Sequence, residues 1–189
     1  MKHRFKHTCY NPNELLYNCT KLSTFMTRLV KQSASDPDLW DPILYRGDGF
    51  EAFVEVLIKY SPIDKRINIV EYSPWNKKIH GNDMGIDGLG LSHNGTQHSV
   101  QVKFRANTQQ ELTANEDHIS NFVAKTLSMY MGQPVDMTLF TTAKSLKDII
   151  NEQMYHGQVR TLGYKELSKF VDGNLPFWSA FLSEFNKTE

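Results

Sequence analysis

The chain has 189 residues, of which 40% are hydrophobic and 12% aromatic, and its 21 basic side chains equal its 21 acidic ones. This composition supplies enough apolar material for one folded domain with an appended segment, and a net charge of zero argues against a protein that coats polyanions over its whole surface. No apolar run reaches membrane-spanning length and no signal peptide is seen, so we expect a cytoplasmic protein with reduced thiols at Cys9 and Cys19.

The beginning of the chain is predicted to be helical. Apolar residues recur at helical spacing from Asn13 to Gln32, which predicts one amphipathic helix. We expect it to pack on the core, with a dimer contact or a DNA contact as alternatives. A connector rich in Asp, Pro and Ser follows from Ser33 to Gly47. We therefore assign residues 1–46 to a helical extension and residues 47–189 to the main domain.

The main domain is predicted to begin with a helix and a strand. The helix runs from Asp48 to Tyr60, and it carries Glu51 and Glu55 one turn apart on the same face. The strand runs from Ile67 to Tyr72, where β-branched residues are frequent. Residues 73–80 are expected to form a loop before the next strand.

The stretch from Gly81 to Arg105 predicts a β-hairpin whose second strand has one buried face and one polar face. The connection contains Asn94-Gly95, a strong hairpin signal. Apolar and polar residues alternate along the second strand. Val100, Val102 and Phe104 fall on one side, and Gln101, Lys103 and Arg105 fall on the other.

The length of the hairpin loop decides which residue faces Asp87. A two-residue turn places Asp87 opposite Val102, whereas a three-residue loop from His93 to Gly95 places it opposite Gln101. We favour the longer loop because it ends in a residue with a left-handed backbone, which suits the final glycine. It gathers Asp87, Gln101 and Lys103 on one polar face. A β-bulge at one of the glycines that follow Asp87 is an open alternative.

These side chains suit metal-assisted hydrolysis of a phosphodiester. The carboxylate of Asp87, the amide oxygen of Gln101 and the backbone carbonyl of Val102 are oxygen ligands of the kind that hard divalent cations prefer. Such a cation acidifies a bound water and stabilises charge that develops on phosphate. Lys103 would orient that water or neutralise charge. The alternative interpretation is an ordinary exposed strand with solvated Gln and Lys.

The same residues resemble the PD-(D/E)XK nuclease superfamily in its QxK variant, which includes Mrr-like restriction endonucleases and archaeal Holliday junction resolvases. The resemblance is carried by Asn-Asp-Met-Gly-Ile-Asp87 followed by Gln101-Val-Lys103, and it covers roughly residues 47–177. The family usually adds a glutamate from a helix before the first core strand, a place that Glu51 fits. The chain departs from the more usual acidic form at Gln101, which removes one negative charge.

The resemblance implies a restriction-endonuclease-like α/β fold, a mixed β-sheet flanked by helices on both faces. It implies a DNA endonuclease of restriction or defence type that depends on Mg²⁺, with Mn²⁺ as a substitute, and that acts as a homodimer. Glu51, Asp87, Gln101 and Lys103 would be catalytic, and Glu51, Asp87, Gln101 and Val102 would be metal ligands. The alternatives are a structure-selective nuclease such as a Holliday junction resolvase and a non-catalytic DNA-binding protein with a nuclease fold.

Four cations are predicted to contact DNA. Lys77 and Lys78 lie in the loop before the hairpin, Arg105 lies after it, and Lys144 follows a later strand. Lysine and arginine supply most contacts to the phosphate backbone, which position a protein without reading sequence. The target itself is set by contacts to base edges, which the pattern does not reveal.

The rest of the chain alternates helices and strands, which favours a layered α/β domain. The predicted elements are a helix over 116–131 capped by Asn115 or Thr113, a strand over 135–142, a helix containing Leu146, Ile149 and Ile150, an edge strand over 158–162, a helix over 164–171 and a last helix opened by Pro176. The chain has no Gly-Lys-Ser/Thr phosphate loop, so no nucleotide cofactor is expected.

Overall fold

The computed structural model describes residues 11–35, 41–60, 66–81, 85–115 and 117–186. Seven strands are present in these ranges: β1 (Glu71–Pro74), β2 (Gly88–Leu91), β3 (Gln97–Lys103), β4 (Glu111–Leu112), β5 (Val135–Thr141), β6 (Ser145–Leu146) and β7 (Val159–Leu162). Five of them form a mixed sheet in the order β1-β2-β3-β5-β7. The neighbouring pairs β1–β2 and β2–β3 are antiparallel, whereas β3–β5 and β5–β7 are parallel.

Helices cover both faces of this sheet. They are α1 (Pro12–Leu16), α2 (Leu22–Ser35), α3 (Pro42–Tyr60), α4 (Lys77–His80), α5 (Ile119–Tyr130), α6 (Asp148–Tyr155), α7 (Tyr164–Val171) and α8 (Leu175–Asn186). One core cluster joins Val100, Val102 and Phe140 to aromatic residues of α2, α3 and α8, and a second joins Met137 and Leu139 to α5. Successive residues of a strand point to opposite faces, so neighbours on β5 serve different clusters. The expected mixed α/β sheet is confirmed.

The helix predicted over Asn13 to Gln32 is broken into α1 and α2. Asn18 adopts a left-handed backbone with φ of 52°, and α2 begins only at Leu22. The amide of Leu22 is capped by the carboxylate of Asp172, 150 residues away in sequence. The guanidinium of Arg28 donates to two carbonyls at the end of α1. The expected packing is confirmed, because Leu15, Leu16, Leu22, Phe25 and Leu29 are buried in the first cluster.

The connector predicted over Ser33 to Gly47 is wrong at both ends. The second helix extends to Ser35, and α3 begins at Pro42 rather than at Asp48. The side chain of Asp41 accepts hydrogen bonds from the amides of the second and third residues of α3, both at 2.9 Å. An aspartate followed by proline is a strong start signal for a helix.

The segment before the hairpin also differs from the prediction. Strand pairing starts at Glu71 and not at Ile67, because Asn68 has a positive φ of 56° that interrupts an extended chain. Ile67 and Ile69, which precede β1, are nevertheless buried in the first core cluster. The loop expected over residues 73–80 contains the end of β1 and the short helix α4.

The second half of the chain follows the prediction closely. The α5 helix, β5, the edge strand β7, α7 and α8 all occur where periodicity placed them. Neither Asn115 nor Thr113 caps α5, which is preceded by His118 in a left-handed conformation. The parallel pair β4–β6 was not predicted, and α6 starts after Leu146. No helix in the described ranges is both long and apolar enough to cross a bilayer.

Candidate functional site

The hairpin between β2 and β3 has the three-residue loop. Gly88 pairs with Val100, and the amide of Ser92 donates to the carbonyl of Thr96 at 2.8 Å. Gly95 has a φ of 83°, a conformation that glycine adopts without strain. The register predicted from the loop sequence is therefore confirmed along the whole of β2.

The regular ladder ends in a β-bulge at Asp87. The amide of Asp87 donates to the carbonyl of Val100 at 2.9 Å, although Val100 is already the partner of Gly88. Two successive residues that oppose one partner define a bulge, which breaks the alternation of side chains. At Gly90, further along β2, the strand approaches β1 closely because glycine has no Cβ, which would otherwise collide with the backbone carbonyl of Glu71.

The carboxylate of Asp87 lies against the backbone of β3. Its Oδ2 accepts a hydrogen bond from the amide of Val102 at 2.7 Å, where the β2 ladder has already ended. The carbonyl of Asp87 accepts from the amide of Trp75 at 2.9 Å. The residue is thus held through both its backbone and its side chain. The structure brings together Asp87 and Val102, two of the predicted metal ligands.

Gln101 does not lie on a polar face, and this part of the prediction is wrong. Its side chain is 0% exposed because the second core cluster, with Ile86, Phe122 and Leu139, covers that face of β3. Within the described residues, neither its Oε1 nor its Nε2 has a hydrogen-bond partner. A Cβ at Gly85 would lie 3.0 Å from Nε2, so the glycine leaves room for this amide. The pairing of Gln101 with a metal stays a prediction.

Lys103 is half-buried at the end of β3, as predicted for a residue on a partly exposed strand face. Its carbonyl accepts hydrogen bonds from Thr141 Oγ1 at 2.8 Å and from the amide of Thr142 at 3.2 Å. These bonds tie the backbone of Lys103 to the end of β5. The lysine is therefore presented from a fixed point of the sheet.

Glu51, the predicted third carboxylate, is half-buried on α3. The ring of the preceding residue, Phe50, lies 6.2 Å from the ring of Phe104, which follows β3 directly. This contact brings the Glu51 turn of α3 to the same end of β3 as Lys103. Glu55, one turn further along α3, is buried. The part that Glu51 would play in a metal site stays a prediction.

Arg105 and Lys144, which were predicted to contact DNA, form ion pairs within the protein. Arg105 forms an ion pair with the buried Asp117, which also accepts from the amide of Thr113. The ammonium of Lys144 lies 3.0 Å from the carboxylate of Glu111. Lys77 and Lys78 are exposed on α4. The ion pair of Arg105 closes the polar loop between β3 and α5, a role that the sequence pattern did not indicate.

A buried polar network at the loop end of the hairpin was not predicted. His98 Nδ1 lies 2.9 Å from Ser92 Oγ, and His98 Nε2 lies 2.8 Å from Thr138 Oγ1. Ser92 also donates to the carboxylate of Asp136. Burial lowers the pKa of His98 from 6.5 to about 4, against the attraction of Asp136 and with some help from Arg160. The alternation of β3 puts His98 on the same face as Val100, and this pattern could have indicated that His98 is buried.

A scan against protein-family models and a search of curated proteins both found no match for this chain. Among the described residues, no group of three or more His, Cys, Asp or Glu side chains could hold a metal ion. The predicted donors are of another kind: the carboxylate of Asp87, the backbone carbonyl of Val102 and the neutral amide of Gln101, the residue before Val102. Residues 82–84, which include Asp83, lie outside the described ranges.

Proposed function

We propose that this chain is a Mg²⁺-dependent endonuclease that hydrolyses phosphodiester bonds in DNA, of the restriction or defence type suggested by the PD-(D/E)XK resemblance. Two observations carry the proposal: the carboxylate of Asp87 is held 2.7 Å from the amide of Val102, and the preceding residue, Gln101, has a buried amide with no partner among the described residues. The element order supports it, because α3 with Glu51 precedes a mixed sheet that is covered by helices on both faces.

The residues present fit a hard divalent cation. Asp87, the carbonyl of Val102 and the amide oxygen of Gln101 would hold it, with Glu51 as a further ligand. All are oxygen donors of the class that Mg²⁺ selects. A bound cation would satisfy Gln101 Oε1, which has no partner in the described part of the chain; a buried polar group left without a partner costs about 1–3 kcal/mol. The ion supplies acidification of a bound water and stabilisation of charge on the phosphate.

The side chains of the site are held before any substrate arrives. The hydrogen bond from Val102 fixes one carboxylate oxygen of Asp87, which lowers the cost of orienting the group during reaction. Lys103 carries the positive charge that would orient an attacking water or offset negative charge on the phosphate. Its backbone is anchored by Thr141 and Thr142. This anchoring fixes the backbone position at the end of β3 from which the ammonium group extends.

Incubation of the purified chain with linear, supercoiled and four-way-junction DNA tests the proposal. We expect cleavage with Mg²⁺ or Mn²⁺ and none in excess chelator. Ca²⁺ should support binding without cleavage, because its looser geometry positions water less well. Strong preference for the junction would favour a structure-selective nuclease. Undiminished cleavage in chelator would overturn the metal-dependent mechanism, and binding without cleavage in any metal would indicate a non-catalytic DNA-binding protein.

A further inference from the structure

Residues 75–81, which follow β1, fold into a compact turn that we call the basic turn. The carbonyl of Asn76 accepts hydrogen bonds from the amides of Ile79 at 3.0 Å and His80 at 2.8 Å. The side chain of Asn76 accepts from the amide of Lys78 at 3.0 Å and so caps α4. These bonds give a short, surface-exposed segment a defined backbone.

The basic turn is fastened to the candidate site through Trp75. The indole Nε1 of Trp75 donates to the carbonyl of Gly81 at 2.9 Å, which closes the turn across its base. The indole ring lies 4.7 Å from the imidazole of His80. The amide of Trp75 donates to the carbonyl of Asp87 at 2.9 Å. A ligand held by the basic turn is therefore placed at a set position relative to Asp87.

The basic turn presents an exposed aliphatic side chain together with basic ones. Ile79 is 73% exposed, and its neighbours in sequence, Lys77, Lys78 and His80, are exposed as well. Residues 74–81 contain no acidic side chain, although the whole chain has a net charge of zero. An exposed aliphatic side chain that follows two exposed lysines in sequence matches the chemistry of a DNA groove, with phosphates at its rim and stacked bases within.

We propose that Ile79 is a wedge that inserts between adjacent base pairs of a DNA duplex, while Lys77 and Lys78 contact the flanking phosphates. The inference rests on the proposed function and extends it to the shape of the bound DNA, which would be kinked. Partial unstacking by an apolar wedge kinks a duplex, and the cost is least at flexible pyrimidine–purine steps such as TA and CA/TG. The kink would lie next to Asp87, so cleavage would concentrate beside steps that unstack readily.

Binding to a duplex with 2-aminopurine in a central TA step and a dye pair at its ends tests the wedge, with Ca²⁺ in place of Mg²⁺. Wild-type protein should raise the 2-aminopurine emission and the energy transfer. Ile79→Ala and Ile79→Asn should bind without either change. The matched control is Ile149→Ala on α6, which is 60% exposed and lies beside β7 at the opposite edge of the sheet. It should behave as wild type.

The paired lysines give a second readout. Replacing Lys77 and Lys78 together by alanine should weaken binding and lower the slope of log K against log salt by about two, since each phosphate contact contributes roughly one. Wild-type signals from Ile79→Ala, with cleavage intact, would overturn the wedge and leave the proposed function standing. Failure of wild-type protein to bind or cut any DNA would overturn both. Binding to anionic lipid vesicles instead of duplex, lost in Ile79→Ala, would assign the basic turn to a membrane surface.

Discussion

His98 and Gln101 lie three positions apart on β3 and are both buried, but they differ in the hydrogen bonding of their side chains. Both ring nitrogens of His98 have hydroxyl partners, at 2.9 Å and 2.8 Å. The amide of Gln101 has no partner for either of its atoms in the part of the chain that the structure describes. Among the described residues, β3 therefore carries one polar side chain with hydrogen-bond partners and one without, on opposite faces of the strand.

The difference separates a structural role from a functional one. The chain of bonds from Asp136 through Ser92 and His98 to Thr138 pairs each of these groups and ties the hairpin to β5, as a stabilising network does. An unpaired buried amide has the opposite effect on stability. Stability alone does not explain Gln101, and buried polar groups without partners call for a ligand, a water or a catalytic role. We expect the two ends of β3 to respond differently to mutation.

The largest contrast should come from Lys103→Ala. We expect cleavage to fall by about 10³-fold, or ~4 kcal/mol in the activation barrier, because the charge that assists phosphate chemistry is lost. The thermal midpoint should barely move, since a half-buried side chain at a strand end leaves no core cavity. Single-turnover cleavage and thermal melting measure the two effects. Lys165→Ala, an exposed lysine on α7, is the control. Unfolding of Lys103→Ala would instead make this lysine structural.

At the other end of β3, acid should destabilise the fold through His98. Its pKa is about 4 in the folded protein and 6.5 when unperturbed. Between these values the unfolded chain binds more protons, so the free energy of unfolding falls as pH falls from 6.5 to 4. The loss amounts to about 3 kcal/mol at about 1.4 kcal/mol per pH unit.

Urea unfolding of wild type and His98→Gln between pH 4 and 7 measures this contribution. The variant should show the shallower dependence, because it has no imidazole to protonate. Parallel pH profiles for the two proteins would show that His98 is not the titrating group. Cleavage rates at neutral pH should change little between folded samples, since the network lies at the loop end of the hairpin.

The smallest expected change in free energy comes from Gln101, and it tests the comparison with His98 most directly. Gln101→Leu should raise the free energy of unfolding by about 1 kcal/mol, because an apolar side chain of similar size removes an unpaired buried amide. It should also abolish Mg²⁺-dependent cleavage. Thr126→Val is the matched control, since Thr126 Oγ1 is likewise buried and unpaired within the described ranges. This control should gain stability and keep its activity. Equal activity in both variants would contradict a metal ligand at residue 101.

Gln101→Glu completes the series with a charged side chain of nearly the same size. Without metal the buried carboxylate should lower stability, because an unpaired charge is costly in the interior. Mg²⁺ should restore the thermal midpoint and bind more tightly than to wild type, since the ligand set gains a negative charge. Titration of Mg²⁺ against melting temperature and cleavage rate gives two independent readouts. Superimposable curves for wild type, Gln101→Glu and Gln101→Ala would show that residue 101 does not touch the metal.

Local patterns in the sequence determined much of this protein. The alternation from Gln97 to Lys103, the Asn94-Gly95 turn and the periodicity of residues 119–186 predicted β3, its register with β2 and most of the later elements. These features depend on neighbours in the chain, because turn chemistry and the burial of one face act over a few residues.

Only the tertiary structure decided the remaining features. The start of α2 is set by Asp172, and the loop after β3 is closed by Arg105 and Asp117. The burial of Gln101 is set by α5, which covers a face that the alternation presented as polar. A period of two residues shows that two faces differ, but it does not show whether a second layer covers the polar one. That choice depends on contacts between segments far apart in the chain, and so does the burial of the Gln101 amide on which the candidate site rests.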